Sequence, residues 1–125
     1  MIFVDTNVFM YAVGGDHPLR VEAQDVLAAG LAEASLATSV EVVQEFLHAY
    51  ARVGRLADLD DAWTLAESMT IWDVGMHDLR LARSYASRYP SLAPRDLVHL
   101  ACCRRRKAAG LHTYDRALAA AWAAA

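Results

Sequence analysis

The sequence predicts a single α/β domain with a short, mostly parallel β-sheet flanked by helices on both faces. Two observations predict this fold class. Short apolar segments alternate along the chain with longer segments in which apolar residues recur at helical spacing. Each strand candidate is apolar nearly throughout, which is typical of strands covered by helices on both faces. A length of 125 residues fits one such domain, which we assign to residues 1–125.

The predicted strands are the shortest apolar segments. They span residues 2–4, 36–37, 70–74 and 111–114. The first and the last strand are the most informative, because an aspartate follows each of them directly: Asp5 follows the first and Asp115 follows the last. Ligands of open α/β sheets bind beyond the carboxyl ends of the strands. Both aspartates are therefore candidates for a functional site.

Helices are predicted in the intervals between the strands. They are expected at residues 19–32, 38–54, 58–69, 78–89, 94–109 and 115–125. Thr38 and Glu41 have the spacing of a capping box at the start of the second helix, so Glu41 is assigned a structural role. Pro94 is expected at the first position of its helix. Gly54 and Gly110 are expected to end the helices that precede them.

Charge and composition limit the classes of protein to which the chain can belong. The net charge is −3, which by itself argues against nucleic-acid binding, but a cation bound by several acidic residues would offset part of it. No apolar run is long enough to span a bilayer, and the N-terminus lacks the features of a signal peptide. The adjacent Cys102 and Cys103 suit a reducing compartment. We therefore expect a cytoplasmic protein with no membrane partner.

Four carboxylates are candidates for one site: Asp5, Glu45, Asp96 and Asp115. Three of them also have a simpler structural explanation. Asp5 and Asp115 could cap the helices that follow them, and Asp96 lies in the first turn of a helix, where the helix dipole favours acidic residues. Glu45 shares a helix face with Glu41 and is preferred for the site because Glu41 is assigned to the cap. Together the four are expected to converge on one crevice.

The chemistry of this set favours a hard metal ion. The carboxylates have no histidine or cysteine companions at ligand spacing, and oxygen ligands of this kind select Mg²⁺ or Mn²⁺. A metal held in this way activates water and neutralises phosphate oxygens, so we expect hydrolysis of a phosphodiester bond. His99, three residues after Asp96, is expected to pack or to lie on the surface rather than to take part in the site.

Four segments resemble the motifs of a known family. They are residues 2–8, 38–46, 92–101 and 111–116. In order and spacing they are similar to the motifs of the PIN-domain nucleases, particularly the VapC-type toxins of prokaryotic toxin–antitoxin pairs. The acidic residues of the four motifs match Asp5, Glu45, Asp96 and Asp115, and Thr113 matches the hydroxyl that accompanies the fourth.

The resemblance implies a doubly wound parallel sheet and Mg²⁺- or Mn²⁺-dependent cleavage of RNA. It leaves open whether the target is tRNA, ribosomal RNA or mRNA. It also implies a toxin that forms homodimers and is inhibited by a cognate VapB-type antitoxin. The four carboxylates would then be both the catalytic and the metal-binding residues.

Other polar residues near the motifs are expected to support the site or to contact RNA. Those expected to orient Asp5 or to accompany the fourth motif are Thr6, Asn7 and Thr113. Arg95 stands beside Asp96 and is the better candidate for binding a phosphate. Arg104 is a second candidate, although the basic run at residues 104–107 is more typical of a solvated helix end.

Two alternative functions remain open at this point. A phosphatase-like phosphotransferase would use Asp5 as its nucleophile. That chemistry requires a second carboxylate two residues later, where the sequence has Asn7, and a supporting lysine, for which Lys107 is the only residue available. A non-catalytic PIN-like binding scaffold is the other alternative, and it gives no reason for four carboxylates to stay together.

Overall fold

Four parallel strands form the centre of the fold. The computed structural model describes residues 1–124. The strands are β1 (Ile2–Val4), β2 (Leu36–Ser39), β3 (Thr70–Trp72) and β4 (Gly110–His112). They form one sheet in the order β3-β2-β1-β4, and every neighbouring pair is parallel. The predicted fold class is therefore confirmed.

Helices connect these strands. They are α1 (Thr6–Val13), α2 (Arg20–Ala32), α3 (Val40–Phe46), α4 (Leu56–Glu67), α5 (Met76–Tyr85), α6 (Pro94–Arg105) and α7 (Arg116–Ala123), with a π-helical turn at Leu47–Ala51 directly after α3. The helix predicted at residues 115–125 corresponds to α7, and its last residue, Ala125, lies outside the described residues. None of the helices in residues 1–124 combines the length and the apolar character that crossing a bilayer requires.

The strand order explains why helices cover both faces of the sheet. From β1 through β2 to β3 the chain moves in one direction, with α1 to α4 in the connections, and it then returns past β1 to β4 through α5 and α6. Right-handed crossovers that run in opposite directions place their helices on opposite faces. In agreement, α1 to α4 pack on one another, and α6 packs between α5 and α7.

The hydrophobic core holds the strand ends in place. Phe3 of β1 is fully buried, and Phe9 of α1 meets Phe46 of α3 edge to face with ring centres 5.1 Å apart. A second cluster joins α6 to α7 through Leu100 and Leu118. Full burial of one such side chain contributes about 1.5 to 3 kcal/mol. The helices that carry the site residues are therefore anchored on both sides of β1.

The structure differs from the sequence prediction at two places beside β1 and β2. Residues 6–13 form α1, which the sequence indicates only as a helix that Asp5 could cap and which is not among the predicted helices, because β-branched and aromatic residues are weak helix formers. Thr38 does not cap α3; it lies in β2, and its hydroxyl donates to the Val4 carbonyl oxygen at 3.0 Å. Ser39 is the cap instead and accepts from the Val42 N–H at 3.4 Å. Pairing with neighbouring strands extends β2 by two residues, so the capping box of Thr38 and Glu41 does not form.

The end of α6 also differs from the prediction, because the helix stops at Arg105 instead of near residue 109. Lys107 adopts a left-handed backbone conformation with φ of 53°, and the Ala108 N–H donates to the Cys103 carbonyl oxygen at 2.9 Å. This is the hydrogen bond of a Schellman motif. Gly110, expected to end the helix, is the first residue of β4.

A buried carboxylate fastens α5 to the end of α6. Oδ1 of Asp78 accepts hydrogen bonds from Arg105 at 2.7 Å and Arg106 at 2.8 Å, and Oδ2 accepts from the Gly75 N–H at 2.9 Å. Burial raises the pKa of Asp78, but these hydrogen bonds outweigh it and hold the pKa well below its ordinary value. The basic run at residues 104–107 therefore joins two helices and is not simply a solvated helix end.

Candidate metal centre

Asp5 and Asp115 follow neighbouring strands, β1 and β4, and each of them begins a helix. Oδ1 of Asp5 accepts from the Thr6 N–H at 2.7 Å and caps α1. Oδ1 of Asp115 accepts from the N–H groups of Ala117 and Leu118 at 2.8 and 3.0 Å and caps α7. Because β1 and β4 are parallel neighbours, both carboxylates lie at the same edge of the sheet.

An open pocket of about 230 Å³ lies at this edge. Its walls come from the starts of α1, α6 and α7 and from the end of α3 with the π turn that follows. They are formed by Asp5, Thr6, Asn7, Met10, Glu45, His48, Ala49, Arg95, Asp96 and Asp115. All four carboxylates predicted for the site line this pocket, and Glu41 does not. The choice of Glu45 over Glu41 thus agrees with the geometry, although the capping box that motivated it does not form.

A hydrogen-bond network ties the start of α1 to the end of β4. The Thr113 hydroxyl donates to Asp5 Oδ2 at 2.7 Å and accepts from the Asp115 N–H at 3.0 Å. Oδ1 of Asn7 accepts from the Tyr114 N–H at 3.2 Å, and its amide nitrogen lies 3.4 Å from the Thr113 hydroxyl. Asn7 and Thr113 therefore fix the separation of Asp5 and Asp115.

His99 also reaches the site, contrary to expectation. It lies one turn after Asp96 on α6 and is fully buried. Its Nε2 lies 3.1 Å from Glu45 Oε1 and 3.5 Å from Asp5 Oδ1. Sequence spacing indicated that His99 and Asp96 share a helix face. The approach of Glu45, 54 residues earlier in the chain, depends on how α3 packs against α6, which the sequence pattern does not reveal.

The carboxylates of the pocket differ in acidity. Burial and the nearby carboxylate of Asp5 raise the pKa of Asp96 to about 6, and Asp115 adds a smaller contribution. Burial also raises the pKa of Glu45, but hydrogen bonds from His99 and the Thr6 hydroxyl outweigh it, so this pKa is lowered. For His99, burial lowers the pKa, but the hydrogen bond to Glu45 and the charge of Asp5 raise it above its ordinary value. The pocket therefore carries more negative charge than its own residues neutralise.

The donor set fits a divalent cation. Asp5, Asp96 and His99 each offer a ligand atom, and these atoms lie within 4.8 Å of one another. Asp115 uses only Oδ1 for its cap, which leaves Oδ2 for the pocket. A divalent cation would relieve the repulsion that raises the pKa of Asp96. Carboxylate oxygens are the ligands that Mg²⁺ and Mn²⁺ prefer.

The two arginines predicted to contact RNA lie in different places. Arg95 is exposed and lines the pocket beside Asp96. Arg104 does not line it. Its guanidinium lies 4.6 Å from the ring centre of Trp122 and donates to the Trp122 carbonyl oxygen at 2.9 Å, near the end of α7. The Arg104 side chain therefore contacts the end of α7 and not the pocket, and its assignment to an RNA contact stays a prediction.

The groups required by a phosphotransferase are not in the pocket. Asn7, at the position of the second carboxylate, uses its amide group to hold the Tyr114 backbone and Thr113. Lys107 lies two residues beyond the last residue of α6, Arg105, which is itself roughly 14 Å along the helix axis from Asp96 at 1.5 Å per residue.

The family model for the PIN domain matches residues 2–122. The chain belongs to the PIN-domain family. The resemblance of the four motifs is thus confirmed over nearly the whole chain, and the carboxylates described above occupy the pocket of a PIN domain.

Several proteins similar in sequence to this PIN domain are VapC ribonucleases. This PIN domain is 52% identical to ribonuclease VapC23 of Mycobacterium tuberculosis over 124 residues, which cover 98% of each chain. It is 32% identical to VapC ribonuclease Mb1869c of Mycobacterium bovis, with 93% of this chain and 91% of the relative covered.

Two solved structures share the fold. The crystal structure of M. tuberculosis VapC20, described as a sarcin–ricin loop cleaving toxin, matches with a TM-score of 0.81 at 19% identity, covering 97% of this chain and 95% of the other. VapBC2 of Rickettsia felis, bound to a DNA fragment from its promoter, matches with a TM-score of 0.73 at 15% identity, covering 92% and 88%. At these identities the likeness establishes the fold alone.

Proposed function

We propose that this PIN domain is the toxin of a type II toxin–antitoxin system and acts as a metal-dependent endoribonuclease. The observation that carries the proposal is the convergence of Asp5, Glu45, Asp96 and Asp115 on one pocket in a chain 52% identical to a VapC ribonuclease. The ion would be Mg²⁺ or Mn²⁺, with Asp5, Asp96 and Asp115 as its carboxylate ligands and Glu45 binding directly or through water.

The residues of the pocket would have different roles in phosphodiester hydrolysis. A divalent cation, when bound, supplies the charge that makes water a better nucleophile and neutralises phosphate oxygens. Thr6, Asn7 and Thr113 hold the carboxylates at fixed separations, so little reorganisation is needed when substrate arrives. Arg95, exposed at the rim, binds a phosphate of the RNA backbone and sets the scissile bond against the carboxylates.

Replacing Asp5 tests this function directly. We expect Asp5→Asn to abolish RNA cleavage by the purified protein, because the amide removes one negative ligand at the centre of the pocket. The substitution keeps an oxygen that can still cap α1, so circular dichroism and the unfolding midpoint should show a folded protein. Asp60→Asn, on the exposed face of α4, is the matched control and should cleave RNA normally. Full activity of Asp5→Asn would overturn the assignment.

Calorimetric titration with Mn²⁺ separates an enzyme from a non-catalytic scaffold. The proposal expects a binding heat in the wild-type protein that Asp5→Asn removes. A scaffold without a metal centre should give no such heat. Trapping of a phospho-aspartate at Asp5 would instead favour the phosphotransferase alternative.

We further propose a cognate VapB-type antitoxin as inhibitor and a homodimer as the functional unit in the cytoplasm. A toxin–antitoxin complex from Klebsiella pneumoniae is among the structures that share the fold, with a TM-score of 0.71. Light scattering of the purified chain should give about twice its mass of 13.7 kDa, and a monomeric mass would contradict the dimer. Mapping new 5′ ends of cellular RNA after induction would distinguish tRNA, ribosomal RNA and mRNA as targets.

A further inference from the structure

His99 is a buried polar side chain whose polar contacts all lead to the site. Its side chain is fully buried, and Phe3 lies against it with ring centres 5.3 Å apart. Nε2 faces Glu45 and Asp5, while Nδ1 is buried without a hydrogen-bond partner among the described residues. An imidazole that served only to fill space would lose its hydration without compensation, whereas an aliphatic side chain would not. The bond to Glu45 is therefore the feature that distinguishes His99 from an ordinary core residue.

Glu45 depends on this bond for its orientation. Its Oε1 lies 3.1 Å from His99 Nε2, and its Oε2 accepts from the Thr6 hydroxyl. Both carboxylate oxygens are thus held from different elements, α6 and α1. A glutamate side chain has three rotatable bonds and loses considerable rotamer freedom when it is fixed. Without His99, the Glu45 carboxylate would be held on one side only.

Direct metal ligation by His99 would require a different arrangement. The ligand atoms offered by His99, Asp5 and Asp96 lie within 4.8 Å of one another, a spacing at which one ion could contact all three side chains. However, a nitrogen that donates a proton to Glu45 has no lone pair for a metal. Ligation through Nε2 would therefore break the one hydrogen bond of the ring and free one oxygen of Glu45.

We propose that His99 is a positioning residue of the metal centre, which through Nε2 holds Glu45 in the orientation that faces Asp5 and Asp96. This role rests on the proposed function, since it presumes that the pocket binds a divalent ion. Groups that orient metal ligands typically change metal affinity by 10- to 100-fold when removed. His99 should therefore affect metal binding through Glu45, without contacting the ion.

A double-mutant cycle tests this role with Mn²⁺ affinity as its readout. Calorimetry on the metal-free full chain would compare wild type, His99→Leu, Glu45→Ala and the double variant. We expect His99→Leu to weaken Mn²⁺ binding by about 10- to 100-fold in the wild-type background and by less than about threefold in the Glu45→Ala background, because coupled residues are not additive. An equal loss in both backgrounds, or no loss in either, would overturn the proposal.

Two further variants show whether the hydrogen bond itself matters. His99→Gln retains a side-chain N–H of similar reach and should keep Mn²⁺ affinity within about threefold of wild type; a loss as large as that of His99→Leu would contradict the proposal. His112→Leu is the matched control. His112 is half-buried in β4 and does not line the pocket, and its side chain forms no hydrogen bond to the carboxylates of the pocket. Its replacement should therefore leave the Mn²⁺ affinity unchanged.

A measurement on the wild-type protein tests whether His99 binds the metal directly. This test does not depend on whether His99→Leu folds. Pulsed electron paramagnetic resonance of the Mn²⁺-loaded protein detects a directly coordinated imidazole nitrogen by its strong coupling. We expect no such coupling, and its presence would show that His99 is a ligand instead.

The outcomes also separate this proposal from the proposed function. If the wild-type protein shows no Mn²⁺ heat that Asp5→Asn removes, the metal centre and the role of His99 both fail. If Asp5→Asn removes the heat but His99→Leu leaves it unchanged, only the role of His99 fails.

Discussion

Asp5 and Asp115 each combine two roles, capping a helix and lining the pocket. From the sequence, these roles were alternative explanations of the same residues. Asp5 caps α1 through Oδ1 and at the same time lines the pocket, with Oδ2 held by Thr113. Asp115 caps α7 and lines the same pocket. The two roles are compatible because a carboxylate has two oxygens and because parallel strands place helix starts at the edge where ligands bind.

In the metal-free protein, the ionised side chain of Asp96 lowers the free energy of unfolding, because it is buried beside other carboxylates. Burial and Asp5 raise its pKa to about 6, whereas an unfolded chain gives an ordinary value near 3.9. A carboxyl whose folded pKa is raised destabilises the fold at pH values above that pKa, and the penalty disappears as pH falls from about 6 to about 4. A shift of about two units corresponds to a penalty of roughly 3 kcal/mol in the free energy of unfolding above pH 6.

We therefore predict that Asp96→Asn stabilises the metal-free protein while it abolishes activity. Urea unfolding in the presence of a chelator at pH 8 should show a gain of about 2 to 3 kcal/mol over wild type, and the gain should shrink toward zero near pH 4. Saturating Mn²⁺ should reverse the order, because only the wild type gains binding energy. A variant less stable than wild type in chelator at pH 8 would contradict this account.

The sequence predicts helices and strands well where apolar residues recur periodically. It predicts them less well where tertiary contacts determine the local structure. All four strands and most helices follow from apolar spacing, with boundaries within four residues of those observed. α1 was missed because its residues have weak helix propensity, yet Val8, Phe9 and Ala12 are buried at helical spacing. Packing against α2, α3 and α4 stabilises this helix more than its propensity disfavours it.

The hydrogen bonds of Asp78 with Arg105 and Arg106, which we call the clamp between α5 and α6, are a second feature that the sequence pattern did not predict. The side chain of Asp78 is almost fully buried and meets Arg105 and Arg106, which are partly exposed. We predict that Asp78→Asn lowers the free energy of unfolding at pH 7 by about 2 to 3 kcal/mol, because it removes charge-assisted hydrogen bonds.

The pH dependence of this clamp has a definite sign. Because the pKa of Asp78 is lowered in the fold, its contribution is complete above about pH 4 and declines as pH falls further. The difference between wild type and Asp78→Asn in urea unfolding should therefore narrow below pH 4. Asp73→Asn is the control, since the side chain of Asp73 is exposed and the Arg106 contact is to its backbone oxygen. Equal loss in both variants would refute the clamp.

At the scale of the whole molecule, the site is assembled from segments far apart in the chain. Its carboxylates follow β1 and β4 and lie on α3 and α6, so they converge only when the sheet has formed. Metal binding should therefore be coupled to global folding, because the unfolded chain does not hold these groups together.

We predict that Mn²⁺ raises the thermal unfolding midpoint of the whole domain. A concentration 100-fold above the dissociation constant should stabilise the fold by about 2.7 kcal/mol, which corresponds to a shift of roughly 10 °C for a domain of this size. Differential scanning fluorimetry should show the shift in wild type and in Asp60→Asn, and none in Asp5→Asn. A shift that persists in Asp5→Asn would place the ion elsewhere.

The sequence by itself determined the parallel α/β class, the four motifs and the carboxylates that line the pocket, because these depend on local periodicity and on residues next to strand ends. Only the tertiary structure showed the contacts of His99, Arg104 and Asp78. Each of them depends on a partner on another element, Glu45, Trp122 or Arg106, and such distances are set by how helices pack across the sheet and not by spacing along the chain. A buried histidine in contact with Glu45 and a basic run clamped by a buried aspartate could therefore be recognised only in the folded domain.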